Sequence, residues 1–189
     1  PLPMRRKCFH SLKRIPNGLP KERCVPPVEL GHRVLLSTDQ HSLVLDYKVM
    51  EDSTDNQETK PLVDRLINRF GSGEIQSLSM DKGFSDMNML PELQQLIPQI
   101  VMPKKGRRNQ AEQERETSKQ FKNLKRRHAA VESNINALEH HGLNRCPDKG
   151  LSGFKRYVGM GVLAYNLHRI GRALLEKQRQ AVEPSAKAA

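Results

Sequence analysis

Apolar residues follow two rhythms along this chain, and the changes of rhythm mark its elements. Between residues 28 and 50 they come in short dense runs: Val34, Leu35 and Leu36, then Leu43, Val44, Leu45 and Val49. Two such runs around the polar joint Thr38-Asp39-Gln40-His41-Ser42 predict strands over 28–37 and 43–50, paired as a hairpin. Asp39 falls in the turn, where aspartate bonds nearby backbone. Asp46 falls mid-strand and faces either solvent or a site. The polar stretch 51–60 reads as a loop with a helix cap at Ser53, Thr54 or Asp55. Pro61 is compatible with a first helical turn.

From there the rhythm is helical. Leu62, Val63, Leu66, Ile67 and Phe70 share one helix face, and Gly71 and Gly73 stop it. A short strand over 75–80 follows. Met87, Leu90, Leu93, Leu96 and Ile97 predict a helix over 86–97, capped by Ser85 or Asp86. Residues 99–102 form a strand that Pro103 ends. Residues 109–127 are polar almost all round, with Phe121 and Leu124 as apolar exceptions. Such a helix bridges solvent or binds something charged. Val131, Ile135 and Leu138 then mark a helix over 128–140, which Gly142 ends. A last long helix over 152–177 carries Phe154, Val158, Val162, Tyr165 and an apolar stretch over 167–174, a broad face expected to pack on the sheet. The sum is an α/β fold, a mixed sheet covered by helices.

The first 27 residues fit neither rhythm. They contain Pro1, Pro3, Pro16, Pro20, Pro26 and Pro27 and read as a basic, flexible arm. Residues 178–189 read as a disordered tail, which leaves 28–177 as the folded domain.

Charge changes the picture. The net charge is +11, with a sequence pI near 9.8, which points to nucleic acid as partner. The excess is clustered: residues 102–127 hold ten Lys/Arg against three Glu, a net +7, and residues 1–24 hold seven against one. Aromatic content of 4% argues against base stacking on single strands, and no zinc-finger spacing is present. The three cysteines form no CxxC pair and read as reduced thiols of a cytoplasmic, nucleoid-associated protein. No apolar run approaches membrane length.

Two acids bracket the basic segment. Asp81 ends the 75–80 strand and is followed at once by Lys82 and Gly83. Strand ends followed by glycine turns hold functional carboxylates in place with their heads at an open edge. Glu132 lies one position past Val131, where it is expected half buried and in need of a partner. Two acids holding divalent metal amid cations that hold phosphates is what cutting a polyanion requires. Lys82, Lys104, Lys105, Arg107 and Arg108 are the candidate phosphate contacts around the first acid. Lys119, Lys122 and Arg126, at i, i+3 and i+7, form a candidate DNA-facing helix stripe. A solvated helix face and a plain surface glutamate are the competing readings.

Five segments carry a resemblance. They are Ser79-Met80-Asp81-Lys82-Gly83-Phe84, Val101-Met102-Pro103-Lys104-Lys105-Gly106, residues 128–136 from His128 through Glu132 to Asn136, residues 153–159 with 165–169, and the early strand 27–33. In order and spacing the chain resembles bacterial insertion-sequence transposases of the DDE class, over about residues 25–175. The resemblance implies a ribonuclease-H-like catalytic domain, Mg2+ (or Mn2+) as cofactor, and double-stranded DNA, transposon ends and target, as substrate. It also allows a homodimer on DNA. It makes Asp81 and Glu132 the second and third catalytic, metal-binding acids. His128 takes the place of an arginine that clamps phosphate, which makes it a further DNA-contact candidate. Glu139 stands where the family has a basic residue. The family's first acid belongs on a first strand before Val28, where only Glu22 is available. The chain is therefore expected to be an N-terminally truncated copy with an incomplete sheet, either a DDE enzyme or a non-catalytic DNA-binding remnant.

Overall fold

Two covered faces explain why the strands of this protein read as dense apolar runs rather than alternating ones. In the computed structural model, which describes residues 6–15 and 32–186, β2 (His32–Thr38) and β3 (Val44–Met50) form the expected antiparallel hairpin. Along β2, Val34 and Leu36 are buried on one side of the sheet and Leu35 on the other. Asp39 makes the turn as anticipated: its Oδ1 accepts the backbone N–H groups of His41 at 2.8 Å and Leu43 at 2.9 Å. Asp46 is buried mid-strand and structural. Its Oδ2 accepts from Arg65 at 3.0 and 3.1 Å, and Arg69 lies 3.2 Å from its Oδ1.

The arm expected over residues 1–27 is corrected over part of its length. Arg6–Ile15 form β1, which pairs antiparallel with β2 and parallel with β4 (Ile75–Ser79). The strand order is β3-β2-β1-β4-β5, with β5 at Gln99–Val101. The sheet thus has its first strand, and the expectation of a sheet incomplete at that point does not hold. The sequence Arg6-Lys7-Cys8-Phe9-His10-Ser11-Leu12-Lys13-Arg14-Ile15 shows no strand period. Pairing on both edges overrides weak local preference. The rest of the expected arm lies outside the described residues.

Helices cover both faces. On one, α1 (Asp55–Phe70) and α2 (Leu90–Leu96) pack Leu62, Val63, Leu66, Leu90 and Leu93 against Leu35, Leu78 and Met80. Thr54 caps α1, and the Gln57 side chain returns to its N–H at 2.9 Å. Because the helix starts at Asp55, Pro61 sits within it rather than in its first turn. The second helix is shorter than expected. After a 3-10 turn at Lys82–Phe84, a loop takes the place of its first residues, with Met89 as cap.

On the other face lie α4 (Lys119–Leu138) and α5 (Gly150–Ala186), contributing Val131, Ile135, Leu138, Phe154, Val158, Val162 and Tyr165. The polar segment divides differently from its sequence reading. α3 (Gln110–Thr117) ends at Ser118, whose extended backbone and hydroxyl, accepting from the Phe121 N–H, start α4. Lys119, Lys122, Arg126, His128 and Glu132 therefore share one helix. A π-type turn, Glu139–Leu143, closes it, and Gly161 lets α5 approach closely: a Cβ there would lie 2.7 Å from Leu143 Cδ2. Two expectations about α5 fail. Only its first half packs on the body, and its helix continues through the expected tail to Ala186.

Candidate active site

The end of β4 is held from three sides, which fixes where Asp81 emerges. Met80 donates its N–H to the Val101 carbonyl at 2.9 Å, which extends the parallel pairing with β5 by one residue. Asp81 then caps the 3-10 turn, its Oδ1 accepting the Lys82 N–H at 2.7 Å. Phe84 anchors the turn in the core, and its carbonyl accepts from the Thr59 hydroxyl at 3.3 Å. Gly83 meets the start of α1 so closely that a Cβ would come within 2.3 Å of Asp55 Oδ2. Asp55 is in turn held by Arg33 at 2.9 Å. The carboxylate of Asp81 is left exposed on a rigid base.

Helix α4 supplies the opposite wall. His128 is mostly buried, and its ring bonds to the Ser79 backbone, so the helix is fastened to the last residue of β4. Its Nδ1 is buried with no protein partner. Burial pushes its pKa below the usual histidine value. The negative charges of Asp81 and Glu132 and the bond to Ser79 oppose that shift without reversing it. Burial thus favours the neutral imidazole, and the bond to Ser79 makes His128 a tie between α4 and β4. The charges of Asp81 and Glu132 are also close enough to the ring to act on it.

Glu132 is one turn beyond His128. The half-buried position expected for it is corrected: it is exposed. The stripe read from sequence missed Asn134, which is buried and accepts from the Tyr165 hydroxyl at 3.0 Å. With Val131, Asn134, Ile135 and Leu138 facing inward, Glu132 turns to solvent. Glu139 falls in the π-type turn, away from this stretch of helix.

The cations separate into two groups. Lys104 and Arg108 are bound internally: Lys104 Nζ bonds both oxygens of Glu112 at 2.7 Å, and Arg108 Nε bonds Glu116 at 2.7 Å. They brace the loop between β5 and α3 rather than point to a ligand. Lys105 and Arg107 are exposed on that loop, and the Lys105 N–H, 3.3 Å from Ser85 Oγ, ties it to the segment after Asp81. Lys82, Lys119, Lys122 and Arg126 are exposed. Lys125, outside the predicted stripe, is exposed three positions before His128. The i, i+3 relation to His128 would have found it.

Among the described residues, no three His, Cys, Asp or Glu side chains gather closely enough to hold an ion by themselves. The family's first acid has no counterpart on β1, whose sequence contains neither Asp nor Glu. Glu22 lies outside the described residues. The remaining donors are nonetheless chemically suitable. Mg2+ is typically held by one or two carboxylates, with water and substrate phosphate completing its shell, and Asp81 and Glu132 are exposed carboxylates of the type it takes.

The family described as Transposase DDE domain matches residues 30–167, which span Asp81, His128 and Glu132. No curated protein and no solved structure is matched by the chain. Among the described residues, no helix is long and apolar enough to cross a membrane. The match covers well over half of the chain, so this protein belongs to the DDE transposase family, with its ribonuclease-H-like fold and its role in DNA transposition.

Proposed function

We propose that this chain cleaves and joins DNA phosphodiester bonds at a two-carboxylate, metal-dependent site formed by Asp81 and Glu132. What supports this reading is the family match over residues 30–167, which spans both acids, together with Asp81 fixed just past the end of β4 and Glu132 one turn beyond His128, whose ring bonds to Ser79 at that strand end. Asp81, on its 3-10 turn, and Glu132, on α4, would hold Mg2+ or Mn2+. An ion held there would supply Lewis-acid polarisation of the phosphodiester. Lys82, Lys105 and Arg107 on one side, and Lys125 and Arg126 on α4, hold the DNA backbone across the site. His128, uncharged, keeps α4 in register with β4. With only two carboxylates, the geometry around an ion is less constrained than three would make it, and turnover is correspondingly slow.

A second reading, DNA binding without chemistry, is favoured by one observation: β1 holds no carboxylate. Supercoiled plasmid with Mg2+ or Mn2+ separates the two. Nicking that requires metal and disappears in Asp81→Asn and Glu132→Gln, while DNA affinity is kept, supports cleavage. Intact binding with no metal-dependent nicking in the unaltered chain supports binding alone.

A further inference from the structure

The tip of the β2–β3 hairpin, the second half of α4 and the middle of α5 enclose a cleft of about 270 Å3. Its walls are held in place. Asn166 exchanges two hydrogen bonds with the backbone of Val44, each 2.9 Å, and Arg169 Nη2 donates to the His41 carbonyl at 3.2 Å, so the hairpin tip is pinned to α5. The Tyr165 hydroxyl donates to Asn134 Oδ1 at 3.0 Å, which pins α5 to α4. The polar side chains lining this cleft are rich in donors. Arg169 and Arg172 come from α5 with His168, and His141, from the turn after α4, sets its ring 5.5 Å from that of His168, centroid to centroid. Ser42 and Ser133 add hydroxyls. Asn134 is 6% exposed, and its amide Nδ2 is buried with no hydrogen-bond partner in the protein. A buried donor without an acceptor is costly. No Asp or Glu is among the described residues that line the cleft. Asp39, which acts on Tyr165 from the hairpin turn, gives its Oδ1 to the N–H groups of His41 and Leu43.

We propose that this cleft binds a phosphate group. Its charge selects an anion. Two imidazoles at this separation could also flank a metal ion, but two guanidinium groups on the same wall repel a cation, and no carboxylate lines the cleft to offset them. An anion instead relieves the repulsion between basic groups placed at i, i+3 and i+4 on one helix. Among anions, phosphate suits the donors. It presents oxygens in several directions to groups that arrive from the hairpin tip, α4 and α5, and the planar fork of an arginine matches its oxygens in pairs. Arg169 spends only one N–H on His41. The bonds that pin the hairpin tip, α4 and α5 together set the donors before the ligand arrives, which lowers the ordering cost of binding. The phosphate belongs either to a free ion or to a DNA strand running along α5; the group recognised is the same. Asp81, His128 and Glu132 do not line the cleft, so the inference stands without the proposed chemistry.

Calorimetric titration of the full chain with inorganic phosphate, without DNA or metal, tests it at an ionic strength held near about 0.15 M with chloride. The expected result is saturable binding with a dissociation constant on the order of 1 mM or tighter. His168→Gln with Arg172→Gln, both exposed on α5, should weaken it at least tenfold. Arg179→Gln, which removes a charge farther along the same helix and outside the cleft, should leave it unchanged. If the double change lowers helical circular dichroism, Arg172→Gln alone serves and should weaken binding several-fold. An unaltered chain that shows no saturable binding overturns the proposal. So does an affinity that the cleft variants leave untouched, or that Arg179→Gln weakens as much as they do. Duplex DNA then identifies the source of the group: phosphate displaced by duplex assigns the cleft to a DNA strand, and phosphate that stays bound beside saturating duplex assigns it to the free ion.

Discussion

At the scale of single residues, position is set by what each side chain leans on. Asp81 is precise because Gly83 lets its turn sit against α1. Gly83→Ala should displace Asp55 from Arg33 and cost about 1–2 kcal/mol in denaturant unfolding. An unchanged midpoint would show that the turn has slack. His128 was legible as a departure from the family pattern but not as a brace, because its bond to Ser79 joins residues 49 apart, a closeness that only the packing of α4 on β4 creates. Lys104 and Arg108 were read as phosphate contacts because sequence shows charge and not partners. Their glutamates, Glu112 and Glu116, lie eight residues on, across a loop and the start of a helix. Replacing Lys104 with alanine is therefore expected to lower stability and leave DNA affinity nearly unchanged. Lys122→Ala should do the reverse, reducing the slope of log affinity against log salt by about 1.

Elements with a strong apolar period were legible: the β2–β3 hairpin, α1 and β4 appear close to where their patterns place them. Two failures have different causes. β1 was missed because a central strand draws its stability from backbone pairing on both sides, and its cation-rich sequence carries no alternation. α3 and α4 were divided at the wrong residue because Ser118, one polar residue among many, was not distinguishable as a cap without its bond to the Phe121 N–H. Between β3 and α1, Lys48 bonds both oxygens of buried Glu58, at 2.6 and 2.8 Å. Burial alone would raise the pKa of Glu58, but hydrogen bonds from Lys48 and Ser53 and the charges of Lys48 and Arg65 bring it below its usual value. A carboxylate depressed in the folded state stabilises above its unfolded pKa and loses that contribution as pH falls through the folded one. The melting-temperature gap between the unaltered chain and Glu58→Gln should thus narrow from about pH 6 towards about pH 3. A gap constant with pH would contradict the assignment. Phe154, fully buried where α5 meets the sheet, is the anchor of that helix, and Phe154→Ala should cost about 3–5 kcal/mol.

At the scale of the whole molecule, the sheet separates two tasks. One face, with α1 and α2, is core and little else. The other carries α4, whose first turns are cationic, whose middle supplies Glu132 and whose inward stripe joins α5 to the body. The net charge foretold a polyanionic partner. It could not show that internal ion pairs use part of that charge or that α5 leaves Leu163, Leu167 and Leu174 exposed, since both depend on which faces the fold turns outward.

The central claim is that Asp81 and Glu132 serve one cation. Mn2+ titration of the unaltered chain, Asp81→Asn, Glu132→Gln and the double variant, in the presence of duplex DNA, measures it directly. A shared site predicts that each single change weakens binding by roughly tenfold and that the double change adds little more, a strongly non-additive cycle. Independent losses that simply add, or Mn2+ affinity unaltered in all three variants, would contradict the account.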